Sequence, residues 1–578
     1  MLNKINKMKN KILPLFLIFA IIITGGGIRK LIVQADNATT SVEVGNTVPT
    51  VTGGQEPHES PTSATSTPAN VGDPVTFKAT ASDANGDDWK LLICSGNTVT
   101  GINCDATTFC TSDFASSTAE ATCSRTALVG DNETVAWYGF ACDTVGCSAE
   151  SHKTDDSGPP FHVNHRPAFT VFNDDSPKNP NVTVAWSTTA SDSDSGEPDT
   201  VTLYVCKTNS FSTSTGCAVE WCNSGPSASN PTCNTTTPRP DGDYDSYGFV
   251  KDSHNFAASG GAQGTNSTMT VSNIAPSITA TSINLLDTDG SGNLMLLDEQ
   301  AETPNFKVTF TVTDDNSCIT TSSAAEITSA LINVRMSEKI QTACDETGEY
   351  NANDCYPDAY ATWNPVCAAS TTVNDCTGNT DTDVGWACTF PLQYHADPTV
   401  ANTPKAAYNW VAAVKATDDD SANTGLIDST TYSNAMDKFM SYDLASTTLA
   451  YGSVSPNADS LEKTTTVEAT GNVGLDENLL GTQLCNDYPG CAGSDDIAIA
   501  QQNYSTSTPI TWGGAGAVAL SAILTEAELN CLKTTITGTP ETKDTSWMLR
   551  VPLGQAVDSY TGSNTIEGKV DNETYGGV

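Results

Sequence analysis

The sequence has few charged residues, and few of those are basic. Charged side chains make up 16% of the 578 residues, and 68 Asp and Glu stand against 26 Lys and Arg, for a formal net charge of −42. Nucleic-acid binding depends on clustered cations that displace phosphate counterions, and an anionic lipid surface repels a chain of this charge. The composition therefore predicts no nucleic-acid partner and no membrane contact beyond the N-terminal segment.

The sequence also lacks the short motifs that mark common enzyme classes. It contains no G-x-S-x-G, no H-E-x-x-H and no phosphate-binding loop. Two Asp-Ser-Gly triplets, at 156–158 and 194–196, lie in polar stretches and are predicted to be turns. We therefore predict no catalytic residues and a protein that is not an enzyme. Paired carboxylates for glycoside hydrolysis are defined in space and not in sequence, so they stay open as an alternative.

Long apolar runs are absent except near the N-terminus. Lysines between residues 4 and 11 precede an apolar run at 12–24, and a small-residue stretch at 33–35 follows. The run is shorter than the ~20 residues that a membrane-spanning helix needs. The pattern predicts a signal helix within a signal peptide at 1–35, followed by a flexible segment at 36–45. An uncleaved anchor that extends to residue 33 is the alternative, and it would bury Arg29 and Lys30.

Nineteen cysteines fall into clusters: six in 94–147, four in 206–233, six in 318–388 and three in 485–531. Even counts in the first three clusters predict disulfides within separate domains of an extracellular, secreted or cell-surface protein. Zinc binding, the alternative explanation, needs close pairs such as C-x-x-C, and none occurs. The last cluster leaves one thiol that is either free or used between chains.

Two stretches of the sequence repeat each other. Residues 75–96 align with 182–208, and residues 131–143 align with 241–252. Cys142 and Cys147 have no counterpart in the second stretch, so they are predicted to bond with each other. The pairing among the matched cysteines stays open. These are Cys94, Cys104, Cys110 and Cys123 in the first stretch, and Cys206, Cys217, Cys222 and Cys233 in the second.

A second marker, Asn-x-x-Pro, follows a short apolar strand at 46–49, 164–167 and 273–276. Its prolines are 118 and 109 residues apart, which is the length of one β-sandwich domain. Further strands are predicted at 306–313, 327–336 and 410–417, and one or two turns of helix at 525–532. The predicted fold is all-β, with tandem Ig-like antiparallel β-sandwich domains stapled by disulfides.

Four domains follow from these markers. The predicted boundaries are 46–165, 166–276, 277–437 with a Cys-rich loop insert at 337–388, and 438–578. No closing strand is evident before residue 578, which leaves open that the reading frame is partial.

Three motifs together resemble the immunoglobulin-like, PKD-like and cadherin-like repeats of bacterial surface proteins. They are A-[ST]-D-x-[DN] after one strand, D-G-x-Y-x-x-Y before another and N-x-x-P at the junction, and they cover about residues 46–437. The resemblance implies an adhesin, a surface-layer component or an accessory module of a secreted enzyme. It also implies other cell-surface proteins or glycans as partners. The oligomeric state is left open.

One local motif fits the twelve-residue calcium-loop template. Residues 287–298 place oxygens at positions one, three and five and a glycine at the turn, but Asp stands at position twelve where Glu is usual. A hairpin turn is the alternative. The candidate ligands are Asp287, Asp289, Ser291, Asn293, Asp298 and Glu299.

Further acidic clusters follow equivalent strands. In cadherin-like repeats, carboxylates near a domain junction share calcium with the linker, so the resemblance implies calcium as a cofactor here too. A solvated acidic loop is the alternative at each position. The candidate ligands are Asp83, Asn85 and Asp87, then Asp192, Asp194 and Asp199, then Asp418 and Asp420.

The sequence as a whole predicts a non-catalytic, secreted or cell-surface protein with a structural or adhesive role. Its Ig-like modules would form an extended rod that calcium makes rigid. The alternative is a secreted carbohydrate-active enzyme or a glycan-binding module, with its site in the third or fourth domain.

Overall fold

The computed structural model describes residues 41–194, 199–290, 292–318, 326–345, 347–358, 361–378, 380–429 and 433–572. The predicted signal helix lies outside the described residues. Strands dominate the described chain, which divides into two compact units. Unit 1 comprises the described residues of Met1–Thr62, Val75–Arg125 and Ala136–Pro160, and unit 2 those of Ser63–Pro74, Thr126–Val135 and Phe161–Val578.

Unit 1 is built on antiparallel sheets. One has the order β1-β4-β2 with β9 paired to β4, a second has the order β11-β5-β8, and β6 pairs with β7. Alternate residues of β4 are buried, as expected of a strand with one face on a core. In unit 2, β3 pairs in parallel with β12, which also pairs with β10. The strands are β1 (Thr50–Val51), β2 (His58–Glu59), β3 (Ala69–Asn70), β4 (Pro74–Ser82), β5 (Lys90–Cys94), β6 (Val99–Thr100), β7 (Asn103–Cys104), β8 (Thr108–Thr111), β9 (Glu120–Thr126), β10 (Thr134–Val135), β11 (Tyr138–Cys142) and β12 (Phe161–Asn164).

Unit 2 also contains three β-sandwiches, which we call A, B and C. Sandwich A has sheets of order β13-β14-β19 and β18-β15-β21-β22, with the small pairs β16-β17 and β20-β23. Its core includes Trp186 and Phe169, both fully buried. The strands are β13 (Ala168–Asp174), β14 (Thr183–Ser191), β15 (Val201–Cys206), β16 (Phe211–Ser212), β17 (Gly216–Cys217), β18 (Glu220–Asn223), β19 (Cys233–Thr236), β20 (Gly242–Tyr244), β21 (Tyr247–Asp252), β22 (Thr265–Asn266) and β23 (Met269–Val271).

Sandwich B has sheets of order β24-β26-β30-β29, with β25 on β26, and β28-β27-β31-β32. Its core includes Trp410 and Phe310. Its 3₁₀ helices are η1 (Ala280–Ser282), η2 (Gln341–Ala343) and η3 (Thr347–Glu349). Its strands are β24 (Ser277–Ile278), β25 (Asn284–Leu286), β26 (Glu302–Thr313), β27 (Ile327–Met336), β28 (Cys355–Tyr356), β29 (Val366–Ala369), β30 (Asp383–Gln393), β31 (Trp410–Asp418) and β32 (Ile427–Asp428).

Sandwich C has sheets of order β33-β34-β39-β36-β37 and β38-β35-β40. Trp547 is fully buried in its core. Its 3₁₀ helix is η4 (Ile499–Gln501). Its strands are β33 (Tyr442–Leu444), β34 (Lys463–Ala469), β35 (Leu475–Gly481), β36 (Gln502–Ser505), β37 (Val518–Ala519), β38 (Thr525–Cys531), β39 (Thr542–Leu549) and β40 (Asn564–Val570).

Two local predictions were wrong. Residues 525–531 form strand β38 and not a helix, because alternate side chains at 527, 529 and 531 enter the core and the backbone pairs with β35. Tertiary pairing here overrides the helical preference of Leu, Ala and Glu. The Cys-rich segment at 337–388 is also more regular than predicted, since it contains β28 and β29 and ends inside β30, a central strand.

Nine disulfides link cysteines that are close in sequence, in agreement with the predicted fold class. The predicted pair, Cys142 and Cys147, form a bond. The aligned cysteines of the repeat have the same pairing twice, first with second and third with fourth. The other bonds are Cys94–Cys104, Cys110–Cys123, Cys206–Cys217, Cys222–Cys233, Cys318–Cys376, Cys344–Cys355, Cys367–Cys388 and Cys485–Cys491. Cys531 is a buried free thiol.

Candidate metal centre

Each junction segment, which begins at Asn46, Asn164, Asn273 or Lys438, forms the same backbone hydrogen bond. Its partner is the loop that directly follows β4, β14, β26 or β34. The N–H of the residue after the junction Asn, or after Lys438 in sandwich C, donates to a side-chain oxygen of that loop. The four bonds are Thr47 to Asn85 at 3.0 Å, His165 to Asp194 at 2.9 Å, Ile274 to Asn316 at 2.7 Å and Phe439 to Asn472 at 2.6 Å. The junction segment is therefore fixed to its loop in the same way four times.

A second recurring bond joins the side chain of the junction Asn to an Asp that ends a strand. Asn46 donates to Asp143 at 2.8 Å within unit 1. Within unit 2, Asn164 donates to Asp252 at 2.9 Å, and Asn273 to Asp418 at 3.1 Å. In each case the Asn amide group lies directly beside a carboxylate.

Several oxygens at these junctions are buried and accept no hydrogen bond from the described residues. Asp83, Asp192 and Asp314, which stand at the same position after β4, β14 and β26, each have one such carboxylate oxygen. The side-chain carbonyl oxygens of Asn164 and Asn273 are also buried and accept no hydrogen bond from the described residues. Buried polar groups without partners are costly, and repetition at equivalent positions indicates a common ligand.

The junction of sandwich A brings most oxygens together. Ligand oxygens of Asp192, Asp199 and Asp252 all lie within 4.8 Å of one another. Asp252 and Asn164 are each only 1% exposed. Three carboxylates are hard oxygen donors of the kind that Ca²⁺ takes in its coordination of six to eight oxygens.

The electrostatics of this group favour a cation. Burial, and then the neighbouring carboxylates of Asp194, Asp252 and Asp199, raise the pKa of Asp192 to about 6. Burial also raises the pKa of Asp252. Like charges this close cannot all ionise at neutral pH without a compensating proton or cation.

Two histidines at the rim contact carboxylates of the group. His254 Nε2 lies 3.0 Å from Asp199, and His165 Nδ1 lies 2.8 Å from Asp194. Ser253 also donates a hydrogen bond to Asp199 at 2.8 Å. These contacts orient Asp199 and Asp194.

The equivalent of Asp252 in unit 1 is Asp143, and both accept from an Asn side chain and from two backbone N–H groups. Asp143 accepts from the Asn46 amide and from the N–H groups of Val145 and Gly146. Burial acts to raise the pKa of Asp143, but these hydrogen bonds outweigh it and lower the pKa below the usual value. The Asp143 carboxylate is therefore stabilised as an anion by amide groups.

The junction of sandwich B has features of both the junction of sandwich A and the junction of unit 1. Burial, together with Asp418 and Asp315, raises the pKa of Asp314 to about 6, although Asn316 and Ser317 donate N–H groups to it. Asp314 is 1% exposed and Asp418 is 2% exposed.

A second group of carboxylates joins sandwich A to sandwich B. Oxygens of Asp241, Glu326 and Asp419 lie within 4.8 Å of one another, and Glu326 is 3% exposed. Burial, and then the charges of Asp419 and Asp241, raise the pKa of Glu326 to about 8. At neutral pH this group holds either a proton or a cation.

The predicted calcium loop has a different arrangement. Its carboxylates do not lie among the close groups of three ligand atoms found in the described residues. Asp287 is 4% exposed and accepts the N–H of Met295 at 3.0 Å, and Asn293 donates to Asp437 at 2.8 Å. Asp289, Asp298 and Glu299 are exposed, and Ser291 lies outside the described residues. Calcium in this loop stays a prediction.

Of the predicted acidic clusters, the structure brings together Asp192 and Asp199 and leaves Asn85, Asp87 and Asp420 exposed. Sequence reasoning missed Asp252, Asp241 and Glu326 as candidate ligands. The signal for Asp252 was present, because the aligned strands YGFACD and YGFVKD both end in Asp. Asp241 and Glu326 carried no such signal, since only the packing of two sandwiches brings them together.

Comparison with known proteins adds no argument to the fold described above. No protein-family model matches the chain, and no curated protein matches it. A solved marsupial T cell receptor aligns with 62% of this chain and 95% of its own, at 8% identity and a TM-score of 0.24. The chicken CNTN1 FN1-FN3 domains align with 63% and 95%, at 8% identity and a TM-score of 0.16. Similarity at this level carries no inference about function.

The described chain contains disulfide-stapled β-sandwiches with clustered carboxylates at their junctions. Among the residues that the structure describes, no helix has the length and apolar character needed to cross a membrane.

Proposed function

We propose that this protein is a non-catalytic structural or adhesive component that works outside the cell, with calcium bound at the junction of sandwich A. The observation that carries the proposal is the close group of Asp192, Asp199 and Asp252, in which Asp252 accepts from the Asn164 side-chain amide. A cation there would tie the β14–β15 loop to the end of β21, and Asn164 would link the junction segment to it through its hydrogen bond to Asp252. The junction would then be rigid when calcium is bound.

The cysteine usage supports the extracellular location. Nine disulfides persist only where the environment is oxidising, and short loops closed by covalent bonds stabilise small domains with limited cores. Surface proteins or glycans are the proposed partners, and the acidic surface favours partners of opposite charge.

Calcium titration by calorimetry tests the site directly. We expect the chain to bind Ca²⁺ with a dissociation constant of roughly 10⁻⁴ to 10⁻³ M, as extracellular modules do. The conservative variant Asp252→Asn should lose one binding site or weaken it at least tenfold, a change of about 1.4 kcal/mol. Asp88→Asn, at an exposed carboxylate after the equivalent strand of unit 1, is the matched control and should bind as the wild type does. Unchanged stoichiometry and affinity in Asp252→Asn would refute the assignment.

A further inference from the structure

A parallel pairing recurs at the end of three repeats. A short segment just before a long strand pairs in parallel with the last segment before the next junction. The pairs are Ala69 with Val163, Lys178 with Val271, and Leu294 with Met436. We call the second partner of each pair the closing segment.

The closing segments share a sequence position and a burial pattern. Each lies directly N-terminal to a junction, at Asn164, Asn273 or Lys438. In the second, Met269 and Val271 stand four and two residues before Asn273 and are 0% and 2% exposed. In the third, Met436 stands two residues before Lys438 and is fully buried.

Sandwich C differs from A and B at the strand that a closing segment would cover. In sandwich A, β21 pairs with β15 on one side and β22 on the other, and in sandwich B, β31 lies between β27 and β32. The corresponding strand of sandwich C, β40, pairs with β35 over its whole length, and none of the described strands pairs with its other edge. That edge leaves backbone donors and acceptors without a neighbouring strand.

A cleft of about 930 Å³ lies beside the first residues of β40. One wall is the segment 444–454, which precedes β34 as Lys178 precedes β14, and the other wall is 555–566. Apolar side chains of Leu449, Leu549 and Ile566 line it. The cleft therefore lies between the two segments that a closing segment would join.

Residues 41–45 have the sequence position of a closing segment. Residues 41–45 precede the first junction, at Asn46, in the way that 269–272 precede Asn273. Val42 and Val44 stand four and two residues before Asn46, which is the spacing of Met269 and Val271 from Asn273. Unlike those residues, they are 85% and 79% exposed.

We propose that residues 41–45 of one copy of the chain close sandwich C of a second copy. The segment would lie antiparallel to β40 and parallel to 449–454, with Val42 and Val44 in the cleft and Glu43 facing outward. Backbone hydrogen bonds would supply affinity and the two alternate pockets specificity, as in other cases of strand addition. The inference does not depend on calcium.

The intrachain junctions support the choice of a second copy as the occupant. In unit 2 a closing segment runs straight into a junction that is fixed to the next sandwich, as Asn164 and Asn273 show. Docking of 41–45 would continue that arrangement from one copy to the next, with Asn46 already bound to Asp143. The contact is heterologous, so copies would associate head to tail. Because each chain carries a net charge of −42, salt should promote the association.

Sedimentation velocity of the full chain at increasing concentration, in salt, tests the proposal. We expect concentration-dependent association that the double variant Val42→Asp/Val44→Asp weakens at least tenfold. Val129→Asp/Val366→Asp, at two other exposed valines of 83% and 67% exposure, is the matched control and should associate as the wild type does. A monomer at every concentration, or equal association of both double variants, overturns the proposal.

Hydrogen exchange locates the contact. A peptide of residues 41–46 should dissociate the assembly and slow amide exchange in β40, and the same peptide with Asp at positions 42 and 44 should do neither. Failure of the peptide to protect β40 overturns the proposal. Slow exchange of the outer edge of β40 in the monomer also overturns it, because that is the result expected when the same chain fills the cleft.

Discussion

At the scale of single residues, one Asn and one Asp determine the character of each junction. Where amide groups satisfy the Asp, as around Asp143, its pKa is lowered and the anion is stable alone. Where burial and neighbouring carboxylates act together, as around Asp192, the pKa is raised and a cation or proton is needed. Asp143 follows β11 and Asp192 follows β14, so the character of a strand end depends on the neighbours that its loop supplies.

Glu326 offers a test of this electrostatic account without calcium. Its folded pKa of about 8 lies above the unfolded value of about 4.5, so the folded state binds the proton more tightly. In chelator, stability should therefore fall as the pH rises from about 4.5 to about 8. Glu326→Gln removes the buried charge and should gain about 1–3 kcal/mol near pH 8, with little change near pH 5.

Thermal unfolding in chelator across this pH range is the measurement for Glu326. Glu567→Gln, at an exposed carboxylate of β40, is the control and should leave the pH dependence unchanged. A loss of stability in Glu326→Gln near pH 8 would contradict the account, because it would mean that the ionised carboxylate is well satisfied.

The sequence predicted that carboxylates form the candidate site, but it identified only some of the residues that take part. Asp192 and Asp199 follow a strand in an oxygen-rich turn, which the sequence displays. Asp241 and Glu326 are separated by 84 intervening residues, and only the packing of sandwich A on sandwich B brings them within 4.8 Å. In the calcium-loop segment, regular spacing of oxygens did not bring carboxylates together, because Leu294 and Leu296 enter the core and Asp287 accepts a backbone N–H.

At the scale of elements, the alternation of apolar and polar residues predicted the strands. The prediction failed where residues of high helix propensity stand in a strand. The strand at 327–336 has the predicted bounds, while β26 begins four residues earlier than predicted. Segment 525–531 contains good helix formers, yet pairing with β35 made it a strand. The partner strand lies 44 residues away or more, so no local pattern could have shown it.

A glycine in the aromatic strand shows how tightly an element can be packed. In β21, a Cβ built on Gly248 would lie 2.7 Å from ring carbons of Phe172, so the strand approaches β13 as closely as a glycine allows. Gly248→Ala should destabilise the protein by about 1–3 kcal/mol through overpacking.

Urea unfolding measures this effect. Gly261→Ala is the matched control, since a Cβ there meets nothing within 4 Å, and it should be neutral. A Gly248→Ala variant as stable as the wild type would show that Phe172 can move aside.

At the scale of the whole molecule, charge and covalent bonds act in opposite directions. A formal charge of −42 makes the compact state repel itself. Disulfides oppose unfolding by an amount that grows with the logarithm of the loop length, about 4 kcal/mol for the loop between Cys318 and Cys376 in the chain-entropy model. Bound calcium would stabilise the folded state further, because it would neutralise part of the negative charge.

The all-β class and the disulfide stapling were predictable from composition, periodicity and cysteine clusters. The outer edge of β40 has no neighbour among the described strands. The relation between that edge and residues 41–45 could not be read from the sequence, because it depends on which strands pair in three dimensions.

The most direct test of the calcium junction is a melting curve of the mature chain in millimolar calcium, compared with sodium chloride of equal ionic strength and with chelator. Binding to the native state raises the melting temperature by linkage, whereas simple screening acts equally in both salts. The account predicts a higher melting temperature in calcium than in matched sodium chloride, and loss of most of that difference in Asp252→Asn. Equal melting temperatures in the two salts would contradict it.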